Sequence, residues 1–425
     1  MKLLALFPAA ALSCNTAEEY ARNSANLDGS TPFHGGLGGL DLPLSSGGAP
    51  LTLLPQDAGD ASPACLDGSP YGFYFSPSKT NSTKWTISIE GGGWCYNEAD
   101  CYARSKTHLG SSAEWAPTAG CGCMNVKDGA QAGDANPLDG DCNCLYMPYG
   151  DGASFSGYRP DRWPVPPWLG GNGTQQLTFR GIKNFDATVA AALKLGLADA
   201  TDFVLTGGSA GGLSAFLHMD RVGAALKAAA PAAAVRGAPV VGFFLDHANY
   251  ARTNESYTNR MKYIYGMQNL TFGGDGGLTE ACSKAFPAAD EQFYCFMSPH
   301  MQSVVRTPFF VFNSKFDAWQ LGNELQTKWT DDAERAAVVQ YGADFDAQFA
   351  PVAAEAHGNG AMITTCICHG CPWGTLTVPG SELNSYQHYA AWTVGNDTGK
   401  DAFHIDGRGP NGDGAIKDTH CTKFP

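Results

Sequence analysis

Trp85, Ile87 and Ile89 alternate with Thr86, Ser88 and Glu90, the two-residue period of a half-buried strand, and the run stops at Gly91, Gly92 and Gly93. Phe185, Val189, Leu193 and Leu197 recur at helical spacing and predict a helix over 184–197, followed by the short apolar run Phe203, Val204, Leu205. Helix then strand is an αβ unit. The apolar run at 308–312 reads as a second buried strand, and 331–350 reads as an amphipathic helix. No repeat at solenoid periods interrupts this order. Strands alternating with helices over such a length predict an α/β fold with a mostly parallel central sheet flanked by helices.

The pattern fails in two places. Between 106 and 144 Gly, Cys and Asp dominate without periodicity, which predicts a disulfide-pinned excursion and not a separate domain. Residues 35–50 are rich in Gly, Ser, Pro and Ala and read as a flexible lead-in. Ahead of it, Lys2, an apolar stretch over 3–12 and the small residues Ala11, Ser13 and Ala17 have the form of a secretory signal. The expected organisation is a signal at 1–17, a lead-in at 18–50 and one catalytic domain at 51–425. No apolar run approaches the ~20 residues of a membrane-spanning helix.

Composition sharpens this. With 44% apolar and 16% charged residues the 425-residue chain can bury a large core. A net charge of −14 excludes a nucleic-acid polyanion as main partner, since no basic excess exists to neutralise phosphates. Fourteen cysteines in close pairs (Cys95 and Cys101, Cys121 and Cys123, Cys142 and Cys144, Cys282 and Cys295) fit an oxidising route. The five sequons at Asn81, Asn172, Asn254, Asn269 and Asn396 fit it too. If cleavage removes Cys14, thirteen cysteines remain and one thiol is free or paired between chains.

The chemistry concentrates where the strand at 203–205 runs into Gly207-Gly208-Ser209-Ala210-Gly211-Gly212 and then a helix. A serine at the centre of G-x-S-x-G on a strand-to-helix turn is a candidate nucleophile, raised at the strand end above a helix amino terminus. Alone, the string is also a glycine-rich turn with an incidental serine. A serine hydroxyl needs a general base and an orienting acid, which in such folds follow in the order Ser, Asp, His. Asp317, just past the strand at 308–312, is the candidate acid; by itself it reads more readily as a turn or helix cap. Five histidines follow it: His357, His369, His388, His404 and His420. Of these His369 stands in Cys366-Ile367-Cys368-His369-Gly370-Cys371, a loop that disulfides would hold within reach. The same string resembles a zinc knuckle, with Cys121 and Cys123 or Cys142 and Cys144 as a second ligand pair, but an oxidising route favours disulfides. For the oxyanion, the backbone N–H of Ala210 supplies one donor and Gly93 or Trp94, in the glycine-rich loop after the first strand, a second. Trp94 would also wall the acyl pocket.

Cys65-Leu66-Asp67-Gly68-Ser69, Glu90-Gly91-Gly92-Gly93-Trp94-Cys95, Asp151-Gly152-Ala153-Ser154-Phe155-Ser156-Gly157, Arg180-Gly181, 207–213 and 313–320 occur in this order, and together they resemble the pectin acetylesterases. With the Notum carboxylesterases these form one secreted family of α/β-hydrolase fold. The resemblance implies Ser209 as nucleophile, Asp317 as acid, His369 as base and Gly93, Trp94 and Ala210 around the oxyanion. It also implies that some family disulfides are missing or rewired. Gly150, Gly208 and Met219 stand where the family has cysteine.

The expected function is a secreted serine ester hydrolase that removes O-acetyl groups from a pectin-like extracellular polysaccharide, with no cofactor and no metal. The alternatives are a Notum-like deacylase acting on a fatty-acylated secreted protein, and a glycan-binding protein on an inactive hydrolase scaffold.

Overall fold

The structure, a computed structural model, describes residues 48–424 apart from 57–61, 131–133, 135–136, 139–140, 271–279, 355–357, 396 and 419. The signal, most of the lead-in, His357 and Asn396 lie outside the described residues. The strands are β1 (Ala49–Leu53), β2 (Gly72–Ser76), β3 (Lys84–Ile89), β4 (Thr118–Ala119), β5 (Asn143–Met147), β6 (Trp163–Pro164), β7 (Gln176–Leu177), β8 (Asp202–Gly208), β9 (Ala234–Val240), β10 (Phe310–Ser314), β11 (Gly360–Thr364) and β12 (Phe403–Ile405). Ten of them form one sheet in the order β12-β11-β10-β9-β8-β3-β5-β2-β1-β4. From β12 to β5 neighbours run parallel; β2, β1 and β4 close the other edge antiparallel.

Successive strand residues feed two cores, as the period of a sheet requires. Phe203, Leu205, Val311 and Ile363 pack into one with the helices Gly181–Lys194, Ala210–Ala229 and Asp332–Ala354. Val204, Phe312 and Met362 pack into the other with the helix Ser385–Thr393 and the Cys-rich excursion. That second cover corrects the expectation for β3. Its polar residues Thr86 and Ser88 do not face water but are fully buried. Thr86 Oγ1 donates to Asn125 Oδ1 (2.8 Å) and accepts from Met124 N (3.0 Å), so the excursion lies on the polar face and supplies the partners a buried hydroxyl needs.

The predicted elements form with shifted ends. The helix expected over 184–197 begins at Gly181 and stops at Lys194; Gly196, at φ 115°, breaks it, and Leu197 starts a separate 3₁₀ turn. The strand expected at 308–312 is displaced to Phe310–Ser314, and the helix expected over 331–350 extends to Ala354 through Pro351. The cysteine pairing also differs from the sequential one: Cys121 bonds Cys144 and Cys123 bonds Cys142, crosswise. Cys95–Cys101, Cys282–Cys295, Cys366–Cys421 and Cys368–Cys371 complete the disulfides among the described residues, and Cys65 is a buried free thiol. Every cysteine of the possible zinc knuckle is therefore taken up in a disulfide.

Candidate active site

From β3 the chain crosses to β5 on one side, then returns to β8 on the other side of β3. The crevice at the carboxyl ends of β3 and β8 is thus a topological switch point, where sheets of this kind bind ligands. The two segments that meet there are the glycine loop after β3 and the turn after β8. Ser209 occupies that turn at φ 58° and ψ −126°, a left-handed conformation that a non-glycine residue adopts only under constraint. The constraint is close packing of backbone on backbone. A Cβ on Gly211 would stand 2.3 Å from Ile89 O, and one on Gly91 would stand 2.3 Å from Gly208 O and 2.9 Å from Ser209 Cβ. Glycine at both positions lets the helix Ala210–Ala229 start directly against β3.

Asp317 follows β10 and caps the helix Ala318–Asn323: its Oδ1 accepts the N–H of Gln320 (3.0 Å). The capping role and the site role coincide in one carboxylate. It is fully buried, and its two oxygens lie 2.9 and 2.8 Å from His369 Nδ1. With Nδ1–H donating to the carboxylate, the lone pair of the imidazole is on Nε2. The histidine loop follows β11 and is crosslinked twice, by Cys368–Cys371 across His369 and by Cys366–Cys421 to the carboxyl-terminal segment. Ala318 N donates to Cys368 O (3.3 Å), which ties the acid and base loops together.

The glycine loop carries Gly93 at φ 64°, and a Cβ there would meet only Arg104 Nη2, at 3.9 Å. Trp94 is buried; its ring lies 4.9 Å from Phe244, 5.5 Å from Tyr257 and 5.6 Å from Trp319. Phe244 and Trp319 lie in turn 6.5 and 6.2 Å from the His369 ring. These aromatic rings connect the loop beside the serine to the histidine. Ala210, also buried, contributes the first N–H of its helix, which has no intrahelical acceptor.

Two residues given no role by sequence reasoning hold this loop. Arg104 donates from Nη1 to Gly92 O (2.7 Å) and from Nη2 to Trp94 O (3.1 Å), drawing the carbonyls to one side. The Cys95–Cys101 disulfide fixes the helix Glu98–Arg104 that carries it. Ser154 Oγ accepts from Trp94 Nε1 (2.9 Å) and donates to Ala210 O (2.8 Å), bridging loop and helix. Ser154 lies inside the Asp-Gly-Ala-Ser string; Arg104 stands in no motif, and only its position one turn after Cys101 marked it.

Burial raises two carboxyls on this side. Glu90 is pushed up to about 7 while its Oε2 accepts from Tyr149 N (2.7 Å), and Asp151 is likewise pushed up to about 7. His218, buried under Ser154, is pushed down to about 4 and donates or accepts only within the core. It is a structural histidine.

Comparison with known proteins gives the same lineage as the motifs. Residues 46–375 match the profile of the pectinacetylesterase family. Pectin acetylesterase 5 of Arabidopsis thaliana is 32% identical, over 75% of this chain and 74% of that protein; pectin acetylesterase 11 of the same plant is 29% identical, over 77% and 81%. The human palmitoleoyl-protein carboxylesterase NOTUM is 30% identical over 62% of this chain, which spans half of that protein's length. Among solved structures, the Wnt deacylase Notum from Drosophila superposes with a TM-score of 0.70 at 21% identity, over 89% of this chain and all of that one, so the fold is that of the α/β hydrolases. With a match covering most of the folded chain, and relatives named as esterases on both branches, the protein is a carboxylic ester hydrolase of the pectinacetylesterase family.

Proposed function

We propose that Ser209, His369 and Asp317 are the catalytic triad of a secreted esterase that removes O-acetyl groups from an extracellular polysaccharide. The observations that carry the reading are the His369 Nδ1 to Asp317 hydrogen bond and the strained strand-to-helix turn that holds Ser209. His369 Nε2 takes the proton of Ser209 as its Oγ attacks the ester carbonyl. The tetrahedral oxyanion is received by backbone N–H groups of Gly93 or Trp94 and of Ala210. The alcohol leaves with the proton from His369, and water activated by the same nitrogen releases the acid from the acyl-serine. Residues 51–425 act as one catalytic domain, and no cofactor takes part.

Acetyl preference is supported by the rings of Trp94, Phe244, Tyr257 and Trp319, which pack against one another beside the loop. The pectin acetylesterases of Arabidopsis point to a polysaccharide carrier. Secretion is supported by the disulfides and by the exposed sequon residues Asn81, Asn172 and Asn254. The test is a series of model esters from acetyl to octanoyl, with acetate release from acetylated pectin measured in parallel. Acetyl esters are expected to turn over fastest; octanoyl esters outpacing them would replace this reading with protein deacylation.

A further inference from the structure

Away from the catalytic loops, the helix Ser385–Thr393, the turn after it and the edge strand β12 bring three ligating side chains together. His404 Nε2 lies 3.2 Å from Asp397 Oδ2, and His388 Nδ1 lies 3.9 Å from the same oxygen. One ligand atom from each residue falls within 4.8 Å of the other two. Ligands about 2.0–2.1 Å from a tetrahedral zinc ion stand roughly 3.3 Å from one another, so the spacing is near that of a coordination sphere.

His388 is the informative member. It is 3% exposed, its Nε2 is paired with Ser381 Oγ at 2.9 Å, and its Nδ1 has no hydrogen-bond partner. A buried imidazole nitrogen aimed at a carboxylate it does not reach is costly unless a cation sits between them. The two imidazole rings stack with centroids 3.4 Å apart, closer than aromatic pairs usually approach. Charges facing the group favour a cation. Asp401 adds its negative charge, whereas Arg236, the nearby base, is spent on Asp202 at 2.5 Å. A cleft of about 180 Å³, lined by Arg236, Pro308, Asn359, Trp392, Asp397 and Thr398, reaches Asp397 and gives an ion and a water ligand access.

We propose that His388 Nδ1, His404 Nε2 and the Asp397 carboxylate bind one divalent transition-metal ion of the zinc type, with Ser381 orienting His388 through its other ring nitrogen. Two imidazoles and one carboxylate suit zinc, and a modest opening of the stacked rings turns both lone pairs onto one ion. The ion fastens the outermost parallel strand to the helix covering it. His404 pairs with Met362 in the middle of β11, not at the strand ends where Ser209, Asp317 and His369 lie, so the role is structural.

The test uses tag-free full-length protein stripped with a chelator and titrated with Zn²⁺, and with Co²⁺ as a spectroscopic probe. The expected result is one ion per chain, a visible Co²⁺ spectrum of low coordination number and a higher unfolding temperature. Asp397→Asn and His404→Gln are each expected to weaken binding at least about 100-fold, and Ser381→Ala about 10-fold. Hydrogen exchange on the unsubstituted chain keeps the proposal testable if a variant fails to fold: added Zn²⁺ should protect 385–405 selectively. No binding by the unsubstituted chain, binding that survives either ligand substitution, or protection elsewhere than 385–405 overturns the proposal.

Discussion

The serine and histidine sides of the crevice are held by different means. Ser209 is positioned by consecutive backbone, through β8, a turn of small residues and a helix whose glycines press against β3, with Ser154 and Arg104 bracing the facing loop. His369 sits in a loop with no regular structure of its own, held by two disulfides, by the carboxyl-terminal segment and by Asp317. Ser209 itself is held because backbone is packed closely on backbone, His369 because its own loop is crosslinked. The two should therefore fail differently when perturbed.

The largest effect is expected where the sides must act as a unit. On the proposed mechanism, Ser209→Ala, His369→Ala and Asp317→Asn each lower kcat by about 10⁴-fold or more, and the Ser209→Ala/His369→Ala double is no worse than either single. Steady-state rates on an acetyl ester check this; a fully additive double would break the unit.

Next come substitutions that strike one side. Cys421→Ser removes a bond that closes a 55-residue separation, and is expected to cost ~2–5 kcal/mol and to lower kcat as the histidine loop loosens. Gly211→Ala, whose Cβ would lie 2.3 Å from Ile89 O, is expected to cost ~1–3 kcal/mol. Reductant should abolish the difference between Cys421→Ser and the parent while leaving the penalty of Gly211→Ala intact. Denaturant titrations with and without reductant read both.

A crosslink added to the serine side sharpens the contrast. A Cβ on Gly150 would stand 3.6 Å from Cys65 Cβ and 3.0 Å from its Sγ, within disulfide geometry, which also explains why Cys65 is unpaired. Gly150→Cys should remove the Cys65 thiol from a thiol titration in denaturant and stabilise the fold by ~2–4 kcal/mol.

The last effect is a pH dependence to which the serine side contributes through Glu90 and Asp151. Burial raises Glu90 and Asp151 from ordinary values of 4.5 and 3.8 to about 7, so folding favours their protonated forms. Their contribution is full below the unfolded values and is lost as pH rises through about 7. Unfolding temperatures should fall over this range, and Glu90→Gln should flatten the fall.

The same contrast explains what the sequence revealed. The strand-to-helix turn at Ser209 was legible because its determinants are contiguous: an apolar run, small residues and a helix occupy adjacent positions, as do β3 and its glycine loop. The ends of 184–197 and 308–312 were missed because Gly196 and the pairing of β10 with β11 set them, not periodicity. The burial of Thr86 was illegible because its cover comes from the excursion some forty residues on. Crosswise pairing of Cys121 and Cys123 could not be read from spacing, since sulfurs pair according to the fold. Asp317 and His369 could be ordered along the chain, but their hydrogen bond depends on two neighbouring strands ending at the same edge.

The central claim is that Ser209 is a nucleophile activated by His369. The direct measurement is peptide mapping by mass spectrometry after reaction with a phosphonate ester, comparing the native chain with His369→Ala. The account predicts one adduct, on Ser209, formed in step with loss of esterase activity and at least about 10³-fold more slowly in the variant. An adduct on another serine, or full inactivation with Ser209 unmodified, would contradict it.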